Sequence, residues 1–173
     1  HGHDVTCVKG ITSVPTFAWL PLIIDAKTPD SMLAELFALS NDKIDAWIHT
    51  AAVLDYVVKD SADGKLASQQ GPLEVNLIES PKHILELKDK CKNAVRIGFK
   101  LETGIKQKEL VRRAVAQLEH SEMTAVIANR LEDINNQSKP RAYLVDQTGA
   151  DFTLQTISDV CQAIRTIIDR GNR

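Results

Sequence analysis

The chain has 173 residues, of which 43% are hydrophobic and 25% are charged, and this is enough apolar material for one globular domain with a full core. Its formal net charge of -2 provides no basic field for nucleic acid, so any anion site must be local. No apolar run approaches the roughly 18 residues that a membrane span requires. We therefore expect neither a nucleic-acid partner nor a membrane partner.

The cysteines and the opening residues indicate a compartment. Cys7, Cys91 and Cys161 are odd in number, widely spaced and without a Cys-x-x-Cys pair. This pattern predicts reduced thiols rather than disulfides or a metal knuckle. The opening residues, HGHDVTCVKG, lack the layout of a signal peptide. We expect a cytoplasmic protein without a metal site of its own.

Strand and helix signals alternate along the chain. Short apolar or alternating runs predict strands at residues 4–8, 22–25, 45–52, 73–78, 94–101, 124–128, 142–145 and 152–154. Apolar residues at helical spacing predict helices at residues 29–39, 82–90, 108–119 and 158–169. We therefore predict a single Rossmann-like α/β domain over residues 1–173, with three layers and a mainly parallel sheet that has helices on both faces.

Two of the predicted helices have recognisable start signals. Thr28 is a candidate N-cap followed by Pro29 at the first helical position, and Ser80 followed by Pro81 repeats the pattern. The last two predicted strands flank Gln147, Thr148 and Gly149, which predicts a hairpin.

Several residues with suitable chemistry follow the predicted strands, and ligands of open α/β sheets bind beyond the carboxyl ends of strands. Ala51 and Ala52 have no bulk, so a flat base can approach them, and Asp55 can accept hydrogen bonds from ribose hydroxyls or an exocyclic amine. The start of the helix at 82–90 offers free N–H groups and a positive dipole end to a phosphate. Lys65, on a glycine-containing loop, can carry a positive charge to a polyphosphate. Together these residues predict a nucleotide site.

Each of these residues also has a purely structural interpretation. A strand-end aspartate such as Asp55 commonly caps a turn, and a loop lysine such as Lys65 is commonly a solvated charge. Asn129 can stabilise a turn, Glu102 can pair with a nearby base, and His83 can be a satisfied buried group. Neither a G-x-G-x-x-G fingerprint nor a P-loop occurs in the sequence, so no single motif carries the nucleotide hypothesis.

The segments taken together resemble a known family. GHDVTCVKG, AAVLDYVV, GKLASQQGPLEVNLIESPKHIL, GFKLET and VIAN occur in the order and spacing of phosphopantothenoylcysteine synthetase, and the resemblance covers nearly the whole chain. Two departures stand out. The positions that align with two lysines of the CTP-using bacterial members hold Gln117 and Ser121. Family members also open with a glycine-rich strand and loop of the kind SGGTxExID, and this sequence begins after that segment, so we expect a chain that lacks it.

The resemblance implies a ligase of coenzyme A biosynthesis, which joins cysteine to 4'-phosphopantothenate through an acyl nucleotide made from CTP or ATP with Mg²⁺. The lysine ten residues after the motif aspartate, here Lys65, binds the triphosphate and supports acyl transfer. Asn129 matches the asparagine of the family's VAN motif, and we predict Lys65 and Asn129 as catalytic. The nucleotide contacts that the resemblance implies, besides Lys65, are Ala51, Ala52, Asp55, Pro81, Lys82, His83, Ile84 and Phe99.

The resemblance also implies a homodimer. In the family, strands such as LEVNLI and the hairpin at 142–154 lie outside a minimal doubly wound sheet and build the dimer interface. Two other functions remain open: a Rossmann-like nucleotide- or flavin-linked binding module, and a fragment that dimerises without catalysis. Release of pyrophosphate that depends on nucleotide distinguishes the ligase from both.

Overall fold

The structure is a computed structural model, and it describes residues 2–15, 22–40, 43–59, 64, 67, 71–148 and 151–171. The chain divides into two compact units, and each is described by itself. The first unit contains residues His1–Leu36 and Ala51–His83, and the second contains Phe37–Thr50 and Ile84–Arg173. No helix in the described ranges is both long and apolar enough to cross a membrane.

The elements follow the order that the sequence predicts, with one additional strand, Tyr56–Val58, that the sequence analysis did not predict. In chain order they are β1 (Thr6–Lys9), β2 (Leu22–Asp25), α1 (Pro29–Leu39), β3 (Ala46–His49), β4 (Tyr56–Val58), β5 (Leu77–Glu79), α2 (His83–Glu86), β6 (Val95–Glu102), α3 (Gln107–His120), β7 (Ala125–Arg130), a 3-10 turn (Leu131–Asp133), β8 (Ala142–Asp146), β9 (Asp151–Leu154) and α4 (Ile157–Gly171).

The first unit contains two small pairs of strands. β1 and β2 are parallel, and Lys9 pairs with Asp25 at their ends at 3.0 Å. β4 and β5 are antiparallel. Helix α1 begins as predicted, because the Ser31 N–H donates to the Thr28 Oγ1 at 3.1 Å and the Thr28 N–H donates to the Ser31 Oγ at 3.0 Å. This reciprocal cap satisfies amides that the first turn leaves without helical partners.

The second unit is built on a five-stranded sheet with the order β3-β6-β7-β8-β9. β3, β6 and β7 run parallel, while β8 and β9 add to β7 as an antiparallel hairpin. The predicted hairpin therefore forms, and it extends the main sheet. Gly149, in its predicted turn, lies outside the described residues.

Side chains of β7 and β8 alternate between two cores, one on each face of this sheet, and β6 contributes to one of them. On one face Val95, Ile97, Ala125 and Ile127 pack with helix α4, and we call this the α4 core. On the other face lies the α3 core, whose residues come from α3, the segment after it, and strands β7 and β8: Leu110, Ala114, Leu118, Met123, Val126, Ala128, Tyr143 and Val145. A strand that is apolar on both faces must be covered by a helix on each side, which gives three layers.

Three sequence predictions need correction. The strand predicted at 45–52 ends at His49, where its pairing with β6 ends, and residues 51–54 are irregular. The strand predicted at 73–78 begins only at Leu77, opposite Val58. The helix predicted at 82–90 is α2, which has 4 residues and passes into turns. For the two strands, pairing with a neighbouring strand sets the length, and local pattern does not report this pairing.

The α4 core generates a prediction about stability. Ile127 is 1% exposed at the centre of the sheet, so Ile127→Ala removes buried methyl groups and leaves a cavity. We expect the free energy of unfolding to fall by about 2–5 kcal/mol, measured by urea denaturation. The control is Phe152→Ala on the edge strand β9, where the ring is 50% exposed and the loss should be clearly smaller. Equal losses would contradict the assignment of Ile127 to the core.

Candidate functional site

In the first unit the structure brings Asp55, Ser80 and Lys82 together. Asp55 directly precedes β4 and Ser80 directly follows β5, so the antiparallel pairing places them side by side, with the Ser80 N–H donating to the Asp55 carbonyl at 2.8 Å. The Lys82 ammonium forms an ion pair with the Asp55 carboxylate. Both side chains are more than half exposed, so the pair adds little stability and either group can turn toward a ligand.

The alanines and the segment that begins at Pro81 have different surroundings. Ala51 and Ala52 are exposed, which agrees with the space that a base would need, and Pro81 is exposed as well. Ser80 and His83 are buried. In the described part of the chain the Ser80 hydroxyl has no hydrogen-bond partner, so the predicted helix cap is not made. Because α2 has only 4 residues, the phosphate site predicted at its N-terminus lacks an effective helix dipole.

In the second unit Phe99 and Asn129 lie on neighbouring parallel strands and on the same face. Phe99 of β6 pairs with Ile127 of β7, and Asn129 is two residues further along β7, opposite Leu101. Phe99 is half-buried and packs against the α4 core, and the alternation of β7 directs Asn129 to that face. Both therefore approach the carboxyl end of the parallel strands, where α/β sheets bind ligands.

Ile84 lies on the opposite face, where it packs against the α3 core. On this face β6 presents Gly98, and a Cβ there would lie 2.8 Å from the Nε2 atom of Gln117 on α3. The same Gln117 amide donates to the Phe99 carbonyl at 3.3 Å. A glycine at 98 thus lets the side chain of Gln117 reach the main chain of the GFKLET motif, a contact that the sequence did not predict.

Charged side chains at the end of β6 form a network that includes Glu102. The Glu102 carboxylate accepts from Arg113 at 2.9 Å and pairs with Lys100 at 3.2 Å. Burial by itself raises the pKa of Glu102, but hydrogen bonds and charge from Lys100 and Arg113 outweigh burial and lower it. Glu109 accepts from Arg112 and Arg113. The structural interpretation of Glu102 as the partner of nearby bases is therefore confirmed.

A second ion pair follows Asn129 directly. The Arg130 Nε donates to the buried carboxylate of Asp133 at 2.7 Å, and its Nη1 donates to the Ile105 carbonyl at 3.1 Å. These bonds connect the end of β7 to the loop between β6 and α3. Sequence reasoning missed this pair, and only the Arg-x-x-Asp spacing just after the strand could have suggested it.

The predicted site residues do not all belong to one unit. Lys65 lies outside the described residues, and the two groups that the structure assembles, Asp55 with Lys82 and Phe99 with Asn129, belong to different units. A cavity of about 320 Å³ in the second unit is lined mainly by polar side chains, including Lys139 and Arg141, and contains none of the predicted residues.

Comparisons with known proteins identify the family. The second unit has the three-layer architecture of Rossmann-like proteins, with the half-buried Phe99 and Asn129 at the ends of its parallel strands. A family model, the DNA/pantothenate metabolism flavoprotein C-terminal domain, matches residues 1–170. The chain belongs to this family, and the resemblance to phosphopantothenoylcysteine synthetase is confirmed at the level of the family.

Among curated proteins, the chain is 34% identical over 152 residues to the coenzyme A biosynthesis bifunctional protein CoaBC of Thermococcus kodakarensis. The aligned region covers 87% of this chain and 36% of the relative. The chain therefore spans about a third of the length of that relative.

Two solved structures share the fold. A DNA/pantothenate metabolism flavoprotein from Streptococcus pneumoniae superposes with a TM-score of 0.77 and 20% identity, over 95% of this chain and 81% of that one. A Cab2 mutant in complex with phosphopantothenate-cysteine gives a TM-score of 0.66 and 21% identity, over 87% of this chain and 53% of that one. At these identities they show the fold alone, and they confirm the predicted α/β class.

The charge network generates a prediction about acid stability. Hydrogen bonds from Arg112 and then Arg113 hold the pKa of Glu109 at about 2, below its ordinary 4.5. The carboxylate therefore contributes stability above about pH 4.5, and this contribution is lost as the pH falls toward 2. In Glu109→Gln we expect a shallower fall of unfolding free energy between these pH values, measured by urea denaturation. Glu119→Gln, an exposed carboxylate on the same helix, should keep the wild-type slope, and an unchanged slope in Glu109→Gln would contradict the assignment.

Proposed function

We propose that the protein containing this chain joins cysteine to 4'-phosphopantothenate through an acyl-nucleotide intermediate made from CTP or ATP. The observation that carries this proposal is the family match over residues 1–170, which spans every predicted site residue. Two names among the similar proteins support it: one relative is a bifunctional protein of coenzyme A biosynthesis, and one fold neighbour contains phosphopantothenate-cysteine.

The proposed reaction has two steps. A carboxylate oxygen of 4'-phosphopantothenate attacks the α-phosphorus of the nucleotide, which forms a carbon–oxygen–phosphorus link and releases pyrophosphate. The cysteine amine then attacks the activated carbonyl carbon, the acyl–oxygen bond breaks, nucleoside monophosphate leaves and the amine loses a proton. Both steps develop negative charge on phosphate oxygens, so positioned cations and hydrogen-bond donors accelerate them.

The residues of the first unit fit contacts to the nucleotide. Ala51 and Ala52 are small and exposed, and they leave room for the base. Asp55 is an exposed acceptor for ribose hydroxyls, and its pairing with Lys82 holds a mobile cation beside it. We propose that Lys65 carries a second cation to the triphosphate. We propose that the main chain next to Lys82 also contacts the nucleotide, at Pro81, His83 and Ile84.

Two residues of the second unit fit contacts to the substrates, one through an aromatic ring and one through an amide. Phe99 offers a half-buried ring against which a flat group can stack, and Asn129 offers an amide at the neighbouring strand end, which can donate to a developing oxyanion. We propose Lys65 and Asn129 as catalytic residues.

Mg²⁺, when bound, would supply positive charge that stabilises the negative charge of the nucleotide phosphates. Within the described residues no group of three or more His, Cys, Asp or Glu side chains could hold a metal ion. The carboxylates of Asp55 and Glu102 are both engaged with cations. We propose that Mg²⁺ enters with the nucleotide. The three cysteines are free thiols, which favours the reducing cytoplasm as the place of the reaction.

The first test of the proposal is pyrophosphate release by the full-length protein, with 4'-phosphopantothenate and either CTP or ATP and without cysteine. We expect release with one of the two nucleotides, and this also decides the nucleotide preference. In the complete reaction with cysteine added, Lys65→Ala should lower kcat/KM by roughly 10²–10³-fold, because one positioned cation at the phosphates is lost. Lys108→Ala, an exposed lysine on α3, is the control and should keep full activity.

The outcomes separate the alternatives. Nucleotide binding without pyrophosphate from either nucleotide would contradict the ligase and favour a binding module. Neither binding nor release would favour a non-catalytic dimerising protein. Full activity of Lys65→Ala would contradict the proposed role of Lys65 but not the ligase activity itself.

We also propose a homodimer that uses the β4–β5 pair. A two-stranded ribbon is marginal by itself, and Tyr56, Val58, Leu77 and Ile78 are all exposed on this one. Leu77→Glu places a charge where Leu77 is 58% exposed, and we expect it to shift the sedimentation coefficient from dimer to monomer. Ile157→Glu on α4, where Ile157 is 61% exposed, is the matched control and should remain dimeric. A monomeric wild type would contradict the proposal.

A further inference from the structure

Among the described residues, the largest fully buried side chain is a charged one, that of Arg96. It lies near the start of β6 and is 2% exposed. Its neighbours Val95 and Ile97 face the α4 core, so the alternation of the strand directs Arg96 to the face covered by α3. In the parallel pairing of β3 with β6, Arg96 lies opposite Trp47, which is also buried.

The guanidinium joins two segments that are distant in the sequence. Its Nη1 donates to the Ser121 carbonyl at 2.7 Å, just after the end of α3, and its Nη2 donates to the Ile84 carbonyl in α2. The main chain of Arg96 is fixed in turn by Thr124, whose Oγ1 accepts from the Arg96 N–H at 3.0 Å and whose N–H donates to the Arg96 carbonyl at 2.8 Å. In the described part of the chain, all the hydrogen bonds of the guanidinium go to main-chain carbonyls.

Burying a cation in this way is costly. Desolvation lowers the pKa of Arg96, while charge from Cys91 and Glu122 opposes the shift. An apolar side chain at this position would avoid the cost of desolvation, and such replacements are often neutral or stabilising elsewhere. The planar fork of arginine, however, can donate to two acceptors in different directions at once, which lysine cannot do with the same rigidity. The geometry therefore favours a role in holding two carbonyls at set positions.

One of these carbonyls belongs to the proposed nucleotide segment. Ile84 is the last of the residues 81–84, its side chain packs against the α3 core, and its carbonyl is held by Arg96. Three residues after Arg96 on the same strand is Phe99. The other carbonyl, at Ser121, ends the helix whose Gln117 donates to the Phe99 carbonyl. Arg96 thus connects Ile84, the last turn of α3 and the strand that carries Phe99.

We propose that Arg96 is a positioning residue for nucleotide binding: it fixes the main chain at Ile84 relative to β6 and so holds one proposed nucleotide contact in place. This inference rests on the proposed function, because it takes Ile84 as a nucleotide contact. Arg96 itself is buried and acts through Ile84, so its effect belongs to ground-state binding of the nucleotide rather than to the chemical steps.

The test uses Arg96→Met, which keeps most of the buried volume and removes both donors, in the full-length protein. We expect the KM for the nucleotide to rise about tenfold while kcat at saturation stays within about twofold of wild type. Isothermal titration with CTP and with ATP, in the absence of 4'-phosphopantothenate, should show the same loss of affinity. Arg96→Lys, which can reach one carbonyl, should recover part of this loss.

The control is Val160→Ala in the α4 core, a buried site that contacts neither Ile84 nor Ser121 in the described structure. It should lower the unfolding temperature and leave nucleotide affinity unchanged. Wild-type affinity in Arg96→Met, or an equal loss of affinity in Val160→Ala, would overturn the inference. If Arg96→Met does not fold, wild-type affinity in Arg96→Lys overturns it. Failure of the wild type to release pyrophosphate overturns the proposed function, whereas the titrations still decide the role of Arg96.

Discussion

The parallel pairing of β6 with β7 is the contact on which the second unit depends. Both strands are buried in their first four residues. The side chains of β7 contribute to a core on each face of the sheet, and those of β6 contribute to the α4 core. Such strands require a helix on both sides, and α3 and α4 supply these. The same pairing brings the strand ends into register, with Leu101 opposite Asn129, so the scaffold that forms the cores also sets the spacing of the proposed site.

Two buried charged side chains inside this scaffold, Arg96 and Asp133, help to satisfy main-chain carbonyls. Arg96 satisfies two carbonyls, and the buried Asp133 holds an arginine that donates to a third, that of Ile105. Burial of charge is unfavourable unless the group is paired or hydrogen-bonded, so these residues are retained at a cost in desolvation. Each of them joins a strand to a neighbouring loop or helix end, and rigid connections of this kind keep binding groups in place.

Local sequence pattern predicted most of the helices and strands correctly, but it did not predict where several of them end. Helix α1 starts at Pro29 because Thr28 and Ser31 cap each other, and this information lies within four residues of sequence. β3 stops at His49 because its pairing with β6 stops there, and α2 has only one turn although Ser80 and Pro81 resemble a start signal. Residues far along the chain decide the length of β3, so a window of local sequence does not contain this information.

The sequence by itself determined the α/β class, the alternation of elements and the family, because periodicity, caps and ordered motifs are all written along the chain. Only the tertiary structure decided which of the candidate residues meet. Asp55 meets Lys82 through the antiparallel ends of β4 and β5, and Phe99 shares a face with Asn129 through parallel register. The buried role of Arg96 was also invisible in the sequence, since an arginine inside a strand carries no local sign that its partners are the carbonyls of Ile84 and Ser121. Contacts between residues distant in sequence depend on packing, and packing exists only once the chain has folded.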